Sequence, residues 1–160
     1  MKIIITLSLI IFFVNTFAQD SIDKIIIKKS ERQLYIIKNN KVLKKYDIAL
    51  GKNPIGHKQT EGDKKTPEGY YFIDGKNAKS NFFLSLHTSY PSYFDKQVAL
   101  KKNKDPGKHI AIHGLPPAFL LSQYLFDGAD WTDGCIALNN SDMQELWDLT
   151  KEGTTIIIEP

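Results

Sequence analysis

The chain is poor in cysteine. A single thiol, Cys135, stands among 160 residues, which excludes an internal disulfide framework and any zinc or iron–sulfur site built on several cysteines. Ten glycines and seven prolines are too few for a collagen-like or low-complexity chain. Charge of one sign is lacking as well. Lys and Arg number 21 against 18 Asp and Glu, a net +3, too balanced to mark a nucleic-acid binder. No period of a solenoid or propeller repeats, and no linker-like stretch appears. What remains is an ordinary globular composition, 42% hydrophobic, 11% aromatic and 24% charged, at a length that suits one domain and argues against wholesale disorder.

The longest apolar run is at the start. Met1-Lys2 precedes a stretch from Ile3 to Val14, and Asn15-Thr16-Phe17-Ala18 closes it with small residues at Thr16 and Ala18. A positive start, a short apolar stretch and a small-x-small end form the pattern of a secretory signal peptide. A spanning helix needs ~20 apolar residues, whereas Ile3 to Ala18 offers 16 before Gln19-Asp20. The expectation is cleavage after Ala18, export across the inner membrane, and a mature domain, residues 19–160, without a membrane span. Gln19 in place of a cysteine excludes lipidation at the new N-terminus. An exported thiol with no internal partner is a buried bystander, a link to another chain, or a working nucleophile.

Most of the chain reads as strands. Ile25-Ile26-Ile27 and Leu34-Tyr35-Ile36-Ile37 come first, then a tight turn at Asn39-Asn40. In Val42 to Leu50, Tyr46, Ile48 and Leu50 alternate with Asp47 and Ala49. Thr66-Pro67-Glu68-Gly69 has the residue order of a type I turn. It leads into Tyr70-Tyr71-Phe72-Ile73, which Asp74-Gly75 turns again. Phe82 to Leu86, His109 to His113, Cys135 to Leu138 and Thr154 to Ile158 add further strands. Pro117 to Phe126 suits a short helix or a lid. Ser141 to Thr150 suits a helix capped by Ser141 and Gln144, with Met143, Leu146, Trp147 and Thr150 facing the core. The reading is one mainly β domain with one or two short helices. The scattered lysine pairs are solvated surface and edge protection.

A thiol titrates near ~8.5 and needs a base to work at neutral pH. Of His57, His87, His109 and His113, the last ends a strand before Gly114, while Cys135 begins one after Gly134. Both occupy strand–loop junctions, where functional side chains concentrate, and pairing of the two strands would bring them together. On a continuous strand His109 and His113 share a face about 13 Å apart, too far to serve one thiol or one zinc ion. No HExxH or paired Cys/His spacing appears, so no metal is expected. His57 and His87 read as structural or exposed. Gly134 lets a substrate approach the backbone, whose N–H groups can stabilise an attacked carbonyl oxygen. Trp131 and Tyr90 are candidates to line the cleft.

Ile112-His113-Gly114 followed by Thr132-Asp133-Gly134-Cys135-Ile136-Ala137-Leu138 resembles the signature of the L,D-transpeptidase (YkuD) family, a His-Gly before a Ser/Thr-x-Gly-Cys-Ile/Val segment. Gly62 to Tyr70, Ser89-Tyr90-Pro91 and Gly153 to Ile158 resemble further family segments, so nearly the whole mature chain is covered. The resemblance implies a β-sandwich catalytic domain of mixed strands, acting on peptidoglycan stem peptides in the periplasm or cell envelope. It makes Cys135 the nucleophile that forms a thioester with the third stem residue, and His113 the base. The Gly114 carbonyl becomes the third element, and the N–H groups of Cys135 and Gly134 the oxyanion donors. Tyr90, Trp131, Thr132 and Asp133 are the candidate substrate contacts. No cofactor, metal, nucleic acid or assembly is called for, and a monomer is expected.

The chain departs from the family at Ala137, where most members carry Arg. Together with Asp133 and the run from Ala137 to Met143, this resembles the YafK-like branch, some of which is thought to release a lipoprotein attached to peptidoglycan. Three functions therefore stand: a transpeptidase with an amine acceptor, a peptidoglycan hydrolase with the same dyad (releasing such a lipoprotein or cleaving stem peptides), and an exported wall-binding module with an inert thiol. The set His113 and Gly134-Cys135 favours the enzymes.

Overall fold

A computed structural model describes residues 21–117 and 128–160. The leader read in residues 1–18, and residues 118–126 of the segment read as a helix or lid, lie outside the described residues. The elements in order are β1 (Lys24–Lys28), β2 (Gln33–Lys38), β3 (Lys41–Asp47), β4 (Gly69–Ser80), β5 (Phe83–Thr88), α1 (Tyr93–Lys101), β6 (Ala111–His113), β7 (Ile136–Ala137), α2 (Asn140–Leu149) and β8 (Thr155–Glu159).

Every second residue of β1 and β8 is buried. The two pair in parallel, Ile25 beside Ile156 and Ile27 beside Ile158. β2 and β3 extend this sheet through the Asn39-Asn40 turn, where both residues have positive φ, 50° and 58°, as two-residue hairpins favour and asparagine tolerates. The strand order is β3-β2-β1-β8-β4-β5-β6-β7. β4 is long because it serves both halves. Gly69 to Phe72 pair with β8, and the strand from Ile73 onward pairs with β5 after a register shift between Ile73 and Gly75. Asp74-Gly75, expected to reverse the chain, is therefore an irregularity at which one strand passes between sheets. Thr66 to Glu68, expected as a turn, run into β4 without one. There the buried ammonium of Lys29 holds the Thr66 carbonyl at 3.0 Å, the Gly56 carbonyl at 2.8 Å and the Glu68 carboxylate at 2.8 Å.

The two halves of this β-sandwich close over one core that includes Ile25, Ile36, Ile73, Leu86, Ile112, Ile136 and Leu146. The chain after β3 then crosses to β7. Ala49 and Ala137 exchange two hydrogen bonds of 2.9 Å, and Gly51 bridges Thr132. That contact covers the free edge of β7 and draws residues 48–66 against the segment that carries the cysteine.

Helix α1 was not expected. It buries only Asp95 and Ala99, so no apolar stripe announces it. Its legible signal is a capping box in which Ser92 and Asp95 bond each other's backbone N–H. Helix α2 lies where expected, with Met143 and Leu146 buried, but its cap is Asn139 rather than Ser141. Asn139 is the last residue with extended backbone, and its side chain accepts the Asp142 N–H at 2.8 Å; asparagine caps as well as serine. Lys76 reaches over from β4 to bond the Trp147 and Thr150 carbonyls at 2.6 and 2.7 Å, capping the helix end. Among the described residues no helix is long and apolar enough to cross a membrane.

Candidate active site

β6 and β7 pair in parallel, with Ile112 beside Ile136 and His113 beside Ala137. Residues level in a parallel pair share a face. Cys135, one step before β7, therefore stands beside Ala111 and diagonal to His113, with Cα atoms about 8 Å apart. Both side chains line one open cleft of about 580 Å³, together with Trp131, Thr132 and Asp133. The thiol directs its hydrogen at the His109 carbonyl oxygen, 3.6 Å away. No hydrogen bond joins it to His113 among the described residues.

His113 is 5% exposed. Its Nδ1 lies 2.7 Å from the Gly114 carbonyl oxygen. A carbonyl can only accept, so Nδ1 carries the hydrogen and Nε2 keeps its lone pair. Burial pulls the imidazole below its ordinary value, against the opposing effect of the Gly114 carbonyl. Burial pushes the Cys135 thiol up; the Ala111 backbone N–H works the other way, and the Asp133 charge adds to the rise. Burial thus disfavours the charged form of each, the imidazolium and the thiolate alike.

The turn before the cysteine is set by Thr132. Its Oγ1 donates to the Cys135 carbonyl at 2.7 Å and accepts the Gly134 N–H at 3.1 Å. Gly134 has φ +129°, and a Cβ there would lie 2.7 Å from the Lys65 carbonyl oxygen. Gly51 is tighter still, with the Lys64 carbonyl 2.2 Å from where a Cβ would be. The lysine pair Lys64-Lys65 thus packs its backbone against the turn before Cys135. Asp133 points outward, 68% exposed as a side chain, with Lys64 at 2.8 Å and Lys52 at 3.5 Å.

Several sequence expectations change. Tyr90 does not line this cleft. It is 4% exposed, donates its hydroxyl to the Pro106 carbonyl at 2.7 Å and packs on Tyr71, because its segment is buried between β5 and α1. Thr132 reaches the cleft, but its hydroxyl is already engaged on both sides. The Gly134 N–H is held by Thr132, so a role at an oxyanion requires that bond to open. His109 is not part of β6. It has φ +62°, which breaks the strand, so the assumed spacing from His113 does not hold; both still line the cleft. His57 is structural: it accepts the Glu68 N–H at 3.0 Å and lies 3.1 Å from Asp95. Sequence reasoning missed Phe82, whose ring lies over His113 with centroids 4.5 Å apart; it had read only as the start of a strand. Among the described residues no three His, Cys, Asp or Glu side chains gather as metal ligands.

The YkuD family model, described as the L,D-transpeptidase catalytic domain, matches residues 22–158. The chain is 29% identical over 75 residues to YafK of Escherichia coli (strain K12), a candidate L,D-transpeptidase, across 46% of this chain and 28% of that protein. Among solved structures, the helical cell shape determining protein Pgp2 of Campylobacter jejuni is 27% identical with a TM-score of 0.61, over 88% of this chain and 48% of that one. Bd1075 of Bdellovibrio bacteriovorus is 27% identical with a TM-score of 0.61, over 90% and 49%. The chain therefore spans about half the length of these solved relatives and less of the curated one.

Proposed function

The chain belongs to the YkuD family of L,D-transpeptidase catalytic domains, and from that premise we propose that it is a cysteine-dependent L,D-transpeptidase acting on peptidoglycan stem peptides in the cell envelope. The observation that carries the reading is the shared cleft of His113 and Cys135, with Nδ1 of the histidine tied to Gly114. Transfer requires the thiol hydrogen to leave the His109 carbonyl and reach Nε2. His113 takes that proton as sulfur attacks the carbonyl carbon of the third stem residue. The amide C–N bond breaks, and the leaving amine departs with the proton returned by the imidazolium. An acceptor amine then attacks the thioester and gives its proton to His113; the C–S bond breaks and the imidazolium returns that proton to the sulfur, restoring the thiol and the neutral imidazole. The Cys135 N–H serves the oxyanion, and the Gly134 N–H joins it when the Thr132 bond opens. Trp131 and Asp133 line the path of the substrate. The Ala18–Gln19 bond is the proposed cleavage point of the leader.

A second reading replaces the amine with water, and is raised by Ala137 standing where most of the family carry Arg. This residue sits level with His113, and its side chain borders a cavity of about 340 Å³ lined also by Arg32, Asp47 and Trp131. The cell shape role named for Pgp2 is compatible with either outcome. Muropeptide analysis after incubation with sacculi separates them. New cross-links between third residues support transfer, whereas shortened stems or a released protein without new cross-links support hydrolysis. No change in any muropeptide removes both.

A further inference from the structure

We propose that Phe82, at the tip of the β4–β5 hairpin, is a positioning residue for the catalytic base, holding the His113 imidazole against Gly114 and shielding its face from water. The inference rests on the reading of His113 as the base. Hairpin tips ordinarily carry polar or glycine residues, yet this one is Asn81-Phe82-Phe83. Phe82 is 38% exposed, and its ring lies 4.5 Å from the His113 ring at an interplanar angle of 39°. Trp131 meets the same imidazole edge-on at 5.8 Å and Phe82 at 6.4 Å, completing an aromatic enclosure. The backbone is bent to achieve this. Phe83 has φ +67°, a conformation costly for a bulky side chain, and Ser80 Oγ accepts the Phe82 N–H at 3.0 Å. The tip also reaches the other half of the dyad's support, since a Cβ on Gly114 would meet the Phe82 carbonyl oxygen and the Phe83 Cβ at 3.1 Å each. One turn therefore packs on the imidazole and also crowds the Cα of the glycine whose carbonyl orients it. The ionisable groups sharing the cleft with His113 are Lys52, Lys79, His87, His109, Asp133 and Cys135, whereas the rings set against the imidazole are those of Phe82 and Trp131.

The test is the pH dependence of Cys135 alkylation by iodoacetamide, which needs no substrate, in the wild type and in Phe82→Ala, Phe82→Tyr and His113→Ala. In Phe82→Ala the acid limb should move up by roughly half a pH unit or more as water reaches the imidazole, and the neutral-pH rate should fall about tenfold as the ring loses its orientation. Phe82→Tyr, which keeps a flat ring, should restore both. Phe82→Leu, apolar but not flat, serves if Phe82→Ala does not fold. A wild-type limb and rate in Phe82→Ala, or a Phe82→Tyr as impaired as Phe82→Ala, overturns the inference. If His113→Ala loses alkylation while Phe82→Ala keeps it, only the positioning role fails. If His113→Ala itself alkylates normally, the base assignment fails with it.

Discussion

The Nδ1–H of His113 points at the carbonyl oxygen of Gly114, 2.7 Å away on the next residue. This contact fixes the tautomer without a third side chain. The backbone that bonds the ring cannot be protonated or rotated away, so the orienting group acts only through geometry.

His113→Ala should abolish Cys135 alkylation near neutral pH, because burial raises the thiol and the proposed base is removed. His109→Ala should leave the rate within about twofold, since the thiol meets the His109 backbone and not its ring. Timed alkylation followed by intact mass reads both variants.

The pH profile should place the acid limb below the ordinary histidine value of about 6.5. Burial lowers the His113 value, so the base stays unprotonated and competent as pH falls from 7, and activity is lost only on passing through that lowered value. A limb well above 6.5 would mean that the imidazole is charged at rest. Initial rates on a soluble stem peptide give the profile.

Thr132→Val should cost about 1–3 kcal/mol of stability, because it leaves the Gly134 N–H and the Cys135 carbonyl without their shared partner. Activity should fall with it, and Thr132→Ser should recover both. Denaturant melts and turnover of the two variants decide whether the hydroxyl or the methyl matters.

The strands, the α2 core face and the meeting of His113 and Cys135 in one cleft were legible because each is written locally. Alternate burial marks β1 and β8. Glycine beside a lone cysteine, and a histidine ending a strand, mark the site. Phe82 was not legible. It meets His113 through the fold of a hairpin, and one aromatic in an apolar run reads as packing. The break at His109 was hidden for a related reason, as His109-Ile110-Ala111-Ile112-His113 has strand composition throughout while His109 takes a left-handed backbone. Helix α1 lacks an apolar stripe, and Tyr90 looks like a motif residue until its hydroxyl is found on Pro106.

Away from the cleft, Asp95 should matter for stability. Burial alone would raise its carboxyl, but the His57 imidazole 3.1 Å away and the Ser92 N–H, donating at 2.8 Å, hold it below its ordinary value. A carboxylate lowered in the folded state stabilises above the unfolded value, and that contribution is lost as pH falls through the folded one. Asp95→Asn should therefore cost about 1–3 kcal/mol at pH 7, and the gap from wild type should narrow below about pH 4. Thermal melts across that range test it.

If His113 activates Cys135, the sulfur becomes acylated by a stem peptide. Intact-protein mass spectrometry after brief exposure to a stem tetrapeptide, quenched in acid, tests it most directly. The wild type should gain the mass of the acyl tripeptide on Cys135, and Cys135→Ala and His113→Ala should gain nothing over the same interval. A folded wild type that gains no mass while its stem peptide is cleaved, or a Cys135→Ala variant that cleaves at the wild-type rate, would contradict the account.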